Sequence, residues 1–333
     1  MTDKSSLENK PSVDLVIPVF NEEDAIAGFH QQLREAIDSL PYDFTIHYVD
    51  DGSRDHTTER LQTIASADPR VEVIELSRNF GHQAALTAGI DHSRGDYLIS
   101  LDGDGQHPPQ MIAEMLRLAE SGYEIVLTQR IEEKDLSAFK RWTSALFYRL
   151  INRMGDTEIL PGGADFRLLS RNVVQNLQKM KEYHRFLRGI VAWMGYRTII
   201  LPFKPPERLA GQSKYSLSKM VRLGMDAIFS FSLVPLYIAI SVGVLFLFLA
   251  LAEMVYVLSF WISGNTSNLA PGWSSLMFML LVVGGSLMIS LGLIGIYIGY
   301  IFQEVKNRPI YLIRSIWSHQ SGTDSISTDP DSD

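Results

Sequence analysis

Two carboxylates one residue apart, Asp102 and Asp104, stand in Leu98-Ile-Ser-Leu-Asp102-Gly-Asp104-Gly-Gln106-His-Pro-Pro109, directly after a short apolar run. An Asp-x-Asp pair offers hard oxygen donors, and Gly103 and Gly105 let the backbone come close. Such a donor set suits a divalent cation that carries phosphate oxygens. The plain alternative is a solvated Asp/Gly turn. Two other apolar runs end on groups of the same kind, Val19-Phe20-Asn21-Glu22 and Asp50-Asp51-Gly52-Ser53. His107 reads as a turn residue, because hard cations prefer oxygen. No GxGxxG follows the first run and no GxxxxGK[ST] occurs anywhere. A nucleotide bound here must therefore be held through a metal and side chains, not by a glycine-rich phosphate loop.

The elements that must position these groups alternate in type. Apolar runs predict strands over 13–18, 45–49, 71–76, 98–101 and 124–128, and the intervening patterns predict helices over 21–40, 57–67, 83–90 and 109–121. Asn21-Glu22-Glu23-Asp24, with its three acids, suits a helix start, Pro109 suits a first helical turn, and Asp55 suits a cap for the helix at Thr57. Alternation of this kind predicts a doubly wound, Rossmann-like, mainly parallel sheet. Ligands of such sheets sit beyond the carboxyl ends of the strands, where the acidic groups fall. No internal repeat is visible.

Composition limits the function classes. With 38 acidic and 30 basic residues the formal net charge is −8, which argues against broad nucleic-acid binding. The absence of cysteine excludes disulfides, thiolate metal sites and a cysteine nucleophile. The polar N-terminus predicts no signal peptide. From 233 to 262 Glu253 is the sole charged residue, and from 273 to 302 there is none. Each run exceeds the roughly 20 residues that cross a bilayer, so two membrane helices are expected. Lys214, Lys219 and Arg222 precede the first run, and Lys306, Arg308 and Arg314 follow the second, while the loop 263–272 has no basic residue. This asymmetry predicts a multi-pass protein of the plasma membrane with the soluble part and both termini in the cytoplasm. Gly295 and Gly299 form a GxxxG pattern suited to close helix packing.

The stretches PVFNEE, VDDGSRD, LSRNFGHQAALTAG and LDGDGQHPP resemble glycosyltransferases of the GT-A fold, family 2. GGADFRLLSR, RLAGQSKYS and the two C-terminal apolar runs narrow the resemblance to polyprenyl-phosphate glycosyltransferases, similar to dolichol-phosphate mannose synthase and the bactoprenol glucosyltransferases. The likeness runs from about 13 to 314. It implies a GT-A domain over 12–205 after a disordered 1–11, then a basic loop and amphipathic interface helix over 206–231. Two transmembrane helices over 232–303 and a cytoplasmic tail over 304–333 would follow.

The resemblance also implies roles. Pro18, Phe20 and Glu22 would border the nucleoside, with Asp51 accepting a hydrogen bond from base or ribose, while Asp50 reads as structural. Asp102 and Asp104 would hold Mg²⁺ or Mn²⁺ against the diphosphate, with Gln106 as a third contact. Arg208, Ser213 and Lys214 would close over the diphosphate, and Arg130 and Arg141 would meet the lipid phosphate. Asp165, in Gly162-Gly163-Ala164-Asp165-Phe166-Arg167, stands where the family places its catalytic carboxylate. A phosphate monoester has a second pKa near ~6 and hardly needs a base, so Asp165 is expected to position the acceptor or to stabilise developing positive charge. A plain ion pair with Arg167 is its structural alternative. The implied partners are a nucleotide sugar (UDP-glucose first, with mannose or amino-arabinose donors open) and a polyprenyl phosphate, in a homo-oligomer such as a tetramer. A processive polysaccharide synthase fits less well, because the one Arg-Trp, Arg141-Trp142, precedes Asp165 and has Ala138 where a Gln is needed. A non-catalytic flippase subunit or scaffold would leave the carboxylates idle.

Overall fold

The computed structural model describes residues 10–131, 163–182, 185–204, 234–263 and 272–319. They fall into two compact units, one built from the two ends of the chain and one spanning mainly 217–308.

The first unit centres on an eight-stranded sheet. Its strands are β1 (Ser12–Val19), β2 (Asp43–Asp50), β3 (Val71–Leu76), β4 (Tyr97–Ser100), β5 (Ile125–Arg130), β6 (Gly163–Ser170), β7 (Thr198–Phe203) and β8 (Ile313–Ser318), in the order β7-β5-β6-β4-β1-β2-β3-β8. The helices are α1 (Ile26–Ile37), α2 (Thr57–Ala67), α3 (His82–His92), α4 (Ile112–Glu120), α5 (Arg171–Lys179) and α6 (Leu187–Trp193), with a 3-10 turn, Pro109–Met111, ahead of α4. β1 is buried from Val13 to Val19, as a strand covered on both faces must be. Val13, Leu15, Ile17 and Val19 join Phe29 and Leu33 of α1 and Met115 of α4 in one core. On the other face α3 lies so close that a Cβ on Gly89 would come 2.2 Å from Val16.

The expected α/β alternation holds through β5, and two later strands change the picture. β4-β1-β2-β3 run parallel, but β6 is antiparallel to both β4 and β5, and β8 is antiparallel to β3. The sheet is therefore mixed. The stretch 304–333, expected as a tail, supplies an edge strand: β8 pairs from Glu72↔Ser318 to Leu76↔Ile313, and Arg314 and Ser315 both bind Glu75. The stretch Asn21–Asp24 does not open α1 either, which starts at Ile26 with no acid in its first turn. Asn21, Glu22 and Glu23 are bound across to the β2–α2 loop and the start of α2 instead.

Below the carboxyl rim three strands share a charge cluster. His47 on β2 lies 3.8 Å from Asp14 of β1 and 2.8 Å from Glu72 of β3. Both carboxylates face the imidazole and favour its charged form. Asp14 also accepts the N–H groups of Arg94 and Gly95 at 2.6 and 2.7 Å, which fixes the α3–β4 turn.

The second unit contains α7 (Val234–Ile262) and α8 (Trp273–Val305), which pack on each other. Apolar side chains stay exposed along both, among them Tyr237, Phe248, Val255, Met288 and Ile298. Among the described residues one stretch, Val282–Val305, is long and apolar enough to cross a membrane, and α7 contributes the shorter apolar stretch Leu236–Phe246. The structure thus carries the expectation of two spans for one helix only. Among the described residues a Cβ on Gly284, Gly285, Gly292, Gly295 or Gly299 would meet nothing within 4 Å.

Burial alone would depress the His47 imidazole, but Asp14 and Glu72 outweigh it and raise the pKa to about 9. A raised folded-state value means the contribution is complete below the unfolded value of 6.5 and is lost as pH rises through about 9. Denaturant unfolding should therefore show His47→Gln closing its stability gap to the wild type between those limits, by at most about 3 kcal/mol. A gap that does not change with pH would remove His47 from the account.

Candidate active site

β1, β2 and β4 end at one rim, and the reversal of β6 brings a fourth strand to it from the other direction. Ser100, the last residue of β4, is opposite Arg167. Asp165 comes two residues earlier on the reversed strand, so it lies beyond Ser100 on the side of Asp102. Buried hydroxyls pin this segment: Ser100 Oγ donates to the Asp165 carbonyl at 2.6 Å, and Thr128 Oγ1 to the Phe166 carbonyl at 2.7 Å. His107 ties the two carboxylate segments together. Its ring stacks on Phe166 at 5.2 Å, and its Nδ1 accepts the Asp102 N–H at 2.8 Å. Burial lowers its pKa, so the ring is a neutral acceptor that sets the Asp102 backbone, more than the turn residue expected from sequence.

Asp165 is buried among cations. Arg188 at the start of α6 grips it with two bonds, Nε to Oδ1 at 3.1 Å and Nη2 to Oδ2 at 2.8 Å, and Arg167 makes a direct ion pair with it. Burial by itself would raise the Asp165 carboxyl, but Arg188 and Arg167 hold it well below the usual carboxylate range. A base works best with a pKa near the working pH. This carboxylate is a permanent anion and a weak base. The ion pair with Arg167 posed by the sequence exists, but as half of a two-arginine clamp. His82, the first residue of α3, stands between the centres with Nε2 3.6 Å from both Asp102 and Asp165. Desolvation would lower its pKa, yet Asp165 and Asp102 raise it to about 8. Sequence reasoning assigned no role to His82 or Arg188. His82 lies inside the quoted RNFGH stretch, whereas nothing local marks Arg188, which is 23 residues past Asp165.

Asp102 and Asp104 are half-buried at the same rim, and Asp104 Oδ1 accepts the Gln106 N–H at 3.0 Å around Gly105, whose φ is +78°. His107 is spent on the Asp102 N–H, which leaves oxygen donors alone. Among the described residues no three His, Cys, Asp or Glu side chains gather closely enough to cage an ion. Two carboxylates with water and phosphate oxygens are nevertheless the usual setting of Mg²⁺, so the donor set fits a hard cation shared with a phosphate.

The neighbouring strand ends are stitched to each other. Asn21, in the left-handed region at φ +53°, accepts the Arg54 N–H at 2.9 Å through Oδ1 and donates its own N–H to Ser53 Oγ at 3.0 Å. Glu22 donates its N–H to Thr57 Oγ1 at 2.9 Å, and Pro18 and Phe20 lie just before it. Asp55 accepts both the N–H and the hydroxyl of Thr57, so it ties the loop to the first residue of α2, but the N-cap position is His56 and not Asp55 as expected. Asp50 is structural, bound by Ser53 and Thr58. Asp51, expected to read the nucleoside, accepts the N–H groups of Phe80 and Gly81 at 2.7 and 2.9 Å and so holds the loop that leads to His82. Gly52 is required there: at φ +67° a Cβ would come 2.5 Å from the Arg78 carbonyl carbon. Arg130 ends β5, opposite Phe203. Arg141, Arg208, Ser213 and Lys214 lie outside the described residues.

The Glycosyl transferase family 2 domain matches residues 14–178 of this chain. An uncharacterized glycosyltransferase of Bacillus subtilis, YkcC, is 40% identical over 300 residues, which cover 90% of this chain and 92% of that protein. The chain is a family 2 glycosyltransferase. A prophage bactoprenol glucosyl transferase homolog of Escherichia coli is 36% identical over 91% of this chain and 99% of its own. The bactoprenol glucosyl transferase of Shigella phage SfX is 37% identical over 91% and 99%. Among solved structures, mannosyl-3-phosphoglycerate synthase from Rubrobacter xylanophilus matches with a TM-score of 0.46 at 18% identity, over 65% of this chain and 71% of that one.

Within this glycosyltransferase the clamp has a measurable cost. Asp165→Asn leaves Arg167 buried with no opposite charge, which should lower unfolding free energy by about 3–5 kcal/mol. Asp104→Asn, at a half-buried turn, should cost no more than about 1 kcal/mol. Equal losses in thermal and denaturant unfolding would mean that the clamp contributes nothing to the fold.

Proposed function

We propose that this glycosyltransferase moves one sugar from a nucleotide sugar to a polyprenyl phosphate at the cytoplasmic face of a membrane. One observation carries the reading: an acidic pair, Asp102 and Asp104, shares a rim with a carboxylate that two arginines have disqualified as a base. An acceptor that arrives already ionised is the kind that such a site serves. Relatives bearing the name bactoprenol glucosyl transferase, aligned over 91% of this chain, favour a polyprenyl phosphate acceptor and a glucose donor, for which UDP-glucose is the first choice.

In this reading Asp102 and Asp104 hold Mg²⁺ or Mn²⁺, which as a Lewis acid makes the nucleoside diphosphate a better leaving group. A phosphate oxygen of the lipid forms the new bond to the anomeric carbon while the bond to the diphosphate oxygen breaks. Attack from the face opposite the leaving group inverts that carbon. Pro18, Phe20 and Glu22 line the nucleoside side, and Asp51 acts there by fixing the loop 77–82. Gln106 supports the acidic turn. Arg208, Ser213 and Lys214 close over the diphosphate, and Arg130 and Arg141 serve the lipid side.

Chain connectivity supports a two-span membrane hairpin. β8 is bonded to β3, so the chain returns to the sheet that it left after β7. The number of crossings between them must be even. If Val282–Val305 crosses once, a second crossing is needed before it, and the 29 residues of α7 exceed the roughly 20 that suffice. The basic residues flanking both helices then face the cytoplasm.

Purified full-length protein incubated with Mn²⁺, polyprenyl phosphate and a panel of nucleotide sugars should yield a lipid-linked monosaccharide, read by mass spectrometry. Asp102→Ala with Asp104→Ala should cut transfer by at least about 100-fold, as loss of several kcal/mol of charge stabilisation requires. Undiminished transfer by that variant in the presence of chelator would defeat the metal assignment. For Asp165→Asn the rate should drop at every pH, yet keep a rise near ~6 that belongs to the acceptor's second ionisation. Loss of that rise in the variant would restore Asp165 as the base.

A further inference from the structure

Residues 311–314, which follow α8 in the chain, hold α3 at both of its ends. At the near end Ser77, in the loop that leads to His82, donates its N–H to the Leu312 carbonyl at 2.8 Å, and its own carbonyl accepts Arg314 Nη2 at 2.7 Å. At the far end the Tyr311 hydroxyl donates to Asp91 Oδ2 at 3.1 Å, across 220 residues of sequence. The other oxygen of Asp91 faces Arg185 Nη1 at 3.4 Å. That buried guanidinium also donates to the Leu177 and Met180 carbonyls around the end of α5. A buried cation needs its counter-charge, so Asp91 must keep facing Arg185. Burial and the Asp91 charge both push the Tyr311 phenol up, and its hydroxyl stays a donor. The helix backbone has a separate hold, since Gln178 of α5 donates to the Ile90 carbonyl at 2.7 Å. Loss of the Tyr311 hydroxyl would therefore leave α3 wound and release the side-chain tie that sets where its end sits.

α3 is buried from Ala84 to Ile90, so it moves as one body. Its first residue, His82, lies 3.6 Å from both Asp102 and Asp165, roughly 14 Å along the helix axis from Asp91 at 1.5 Å per residue. A shift at the Asp91 end is delivered to the gap between the two acids. A misplacement of about 1 Å, even from a distant change, is enough to cost a rate up to about 100-fold.

We propose that Tyr311 is a positioning residue of the transferase site, acting through Asp91 and α3 to keep His82 in place between Asp102 and Asp165. This deepens the function proposed above and rests on it. The strand end that closes the sheet after α8 then also sets the geometry of the rim.

The first test needs no turnover. Full-length protein carrying ¹³C-histidine is held in detergent with chelator, and the His82 ring signal is identified by its absence from His82→Gln. Tyr311→Phe, which removes one hydroxyl, should move the His82 signal and leave that of His30 on α1 where it is. An unmoved His82 signal would overturn the proposal, and so would equal movement of both rings, which would reduce Tyr311 to a general support of the fold. The second test is kinetic, at a temperature where wild type and variant are both folded. Tyr311→Phe should lower kcat about fivefold or more while the KM for nucleotide sugar and for polyprenyl phosphate each stay within about twofold. An unchanged kcat would count against any effect on the site. Combining Tyr311→Phe with Asp91→Asn should cost little more than Asp91→Asn alone, whereas fully additive losses would mean that the hydroxyl does not act through Asp91. If Asp91→Asn does not fold, the spectrum and kcat of Tyr311→Phe decide. Absence of any lipid-linked product from the wild type would sink the transferase reading separately, because the His82 signal is scored without turnover.

Discussion

A buried carboxylate must be paired, and in this protein the pairing of Asp165 governs what the site can do. Two guanidinium groups satisfy it, one from its own strand and one from α6, so the anion persists at all working pH values. The clamp needs β6 to run against its neighbours. A parallel strand between β4 and β5 would have delivered residue 165 to the opposite rim, away from Asp102. The hydroxyls of Ser100 and Thr128, both buried, are spent on carbonyls of this one segment, which fixes where the reversed strand presents its acid.

Rigidity is unevenly distributed around the rim. The β1–α1 and β2–α2 loops are laced by side-chain to backbone bonds from Asn21, Glu23, Ser53, Asp55 and Thr57. Asp51 anchors the β3–α3 loop in the same way. The acidic turn has less: the ring of His107 behind Asp102 and the short Asp104 to Gln106 bond. A turn so held has its backbone set while its carboxylates stay half-exposed, which suits donors that must close around an incoming cation. The outer edge of the sheet is secured by β8, whose Arg314 binds both Glu75 and the Ser77 carbonyl at the root of the β3–α3 loop.

What the sequence disclosed was mostly local. β3 and α2 run over 71–76 and 57–67 as read, because apolar periodicity and turn residues mark both ends. The acidic pair was legible for the same reason: its chemistry lies within three residues. β6 was harder, since Asp165 and Arg167 interrupt an otherwise apolar run, and the pattern looks polar until the clamp explains it. β8 follows a membrane-length helix, and nothing in Ile313–Ser318 announces that its partner lies more than 200 residues earlier. Arg188 left no trace for a like reason, as it joins its carboxylate through space from the next helix but one. The reading of 21–24 as a helix start failed because those residues find partners across the rim, and tertiary bonds override a first-turn preference.

The arrangement makes sense if proton removal was never the problem to be solved. In the proposed reaction the nucleophile is a phosphate and the leaving group a diphosphate, so two anions must be brought to opposite sides of one carbon. Their mutual repulsion is a larger obstacle than the basicity of the attacking oxygen. Opposite charge is then required at two places and not at the carbon between them. One place is the acidic pair, which is useful only with a divalent cation bound. The other is the pair of arginines at Asp165, built permanently into the fold. His82 stands between them and touches both acids, where an uncharged donor would let them drift apart and a lysine would have more freedom to leave. An unclamped carboxylate base in place of Asp165 would have left its negative charge unpaired on the acceptor side, against the approach of the very group it was meant to activate.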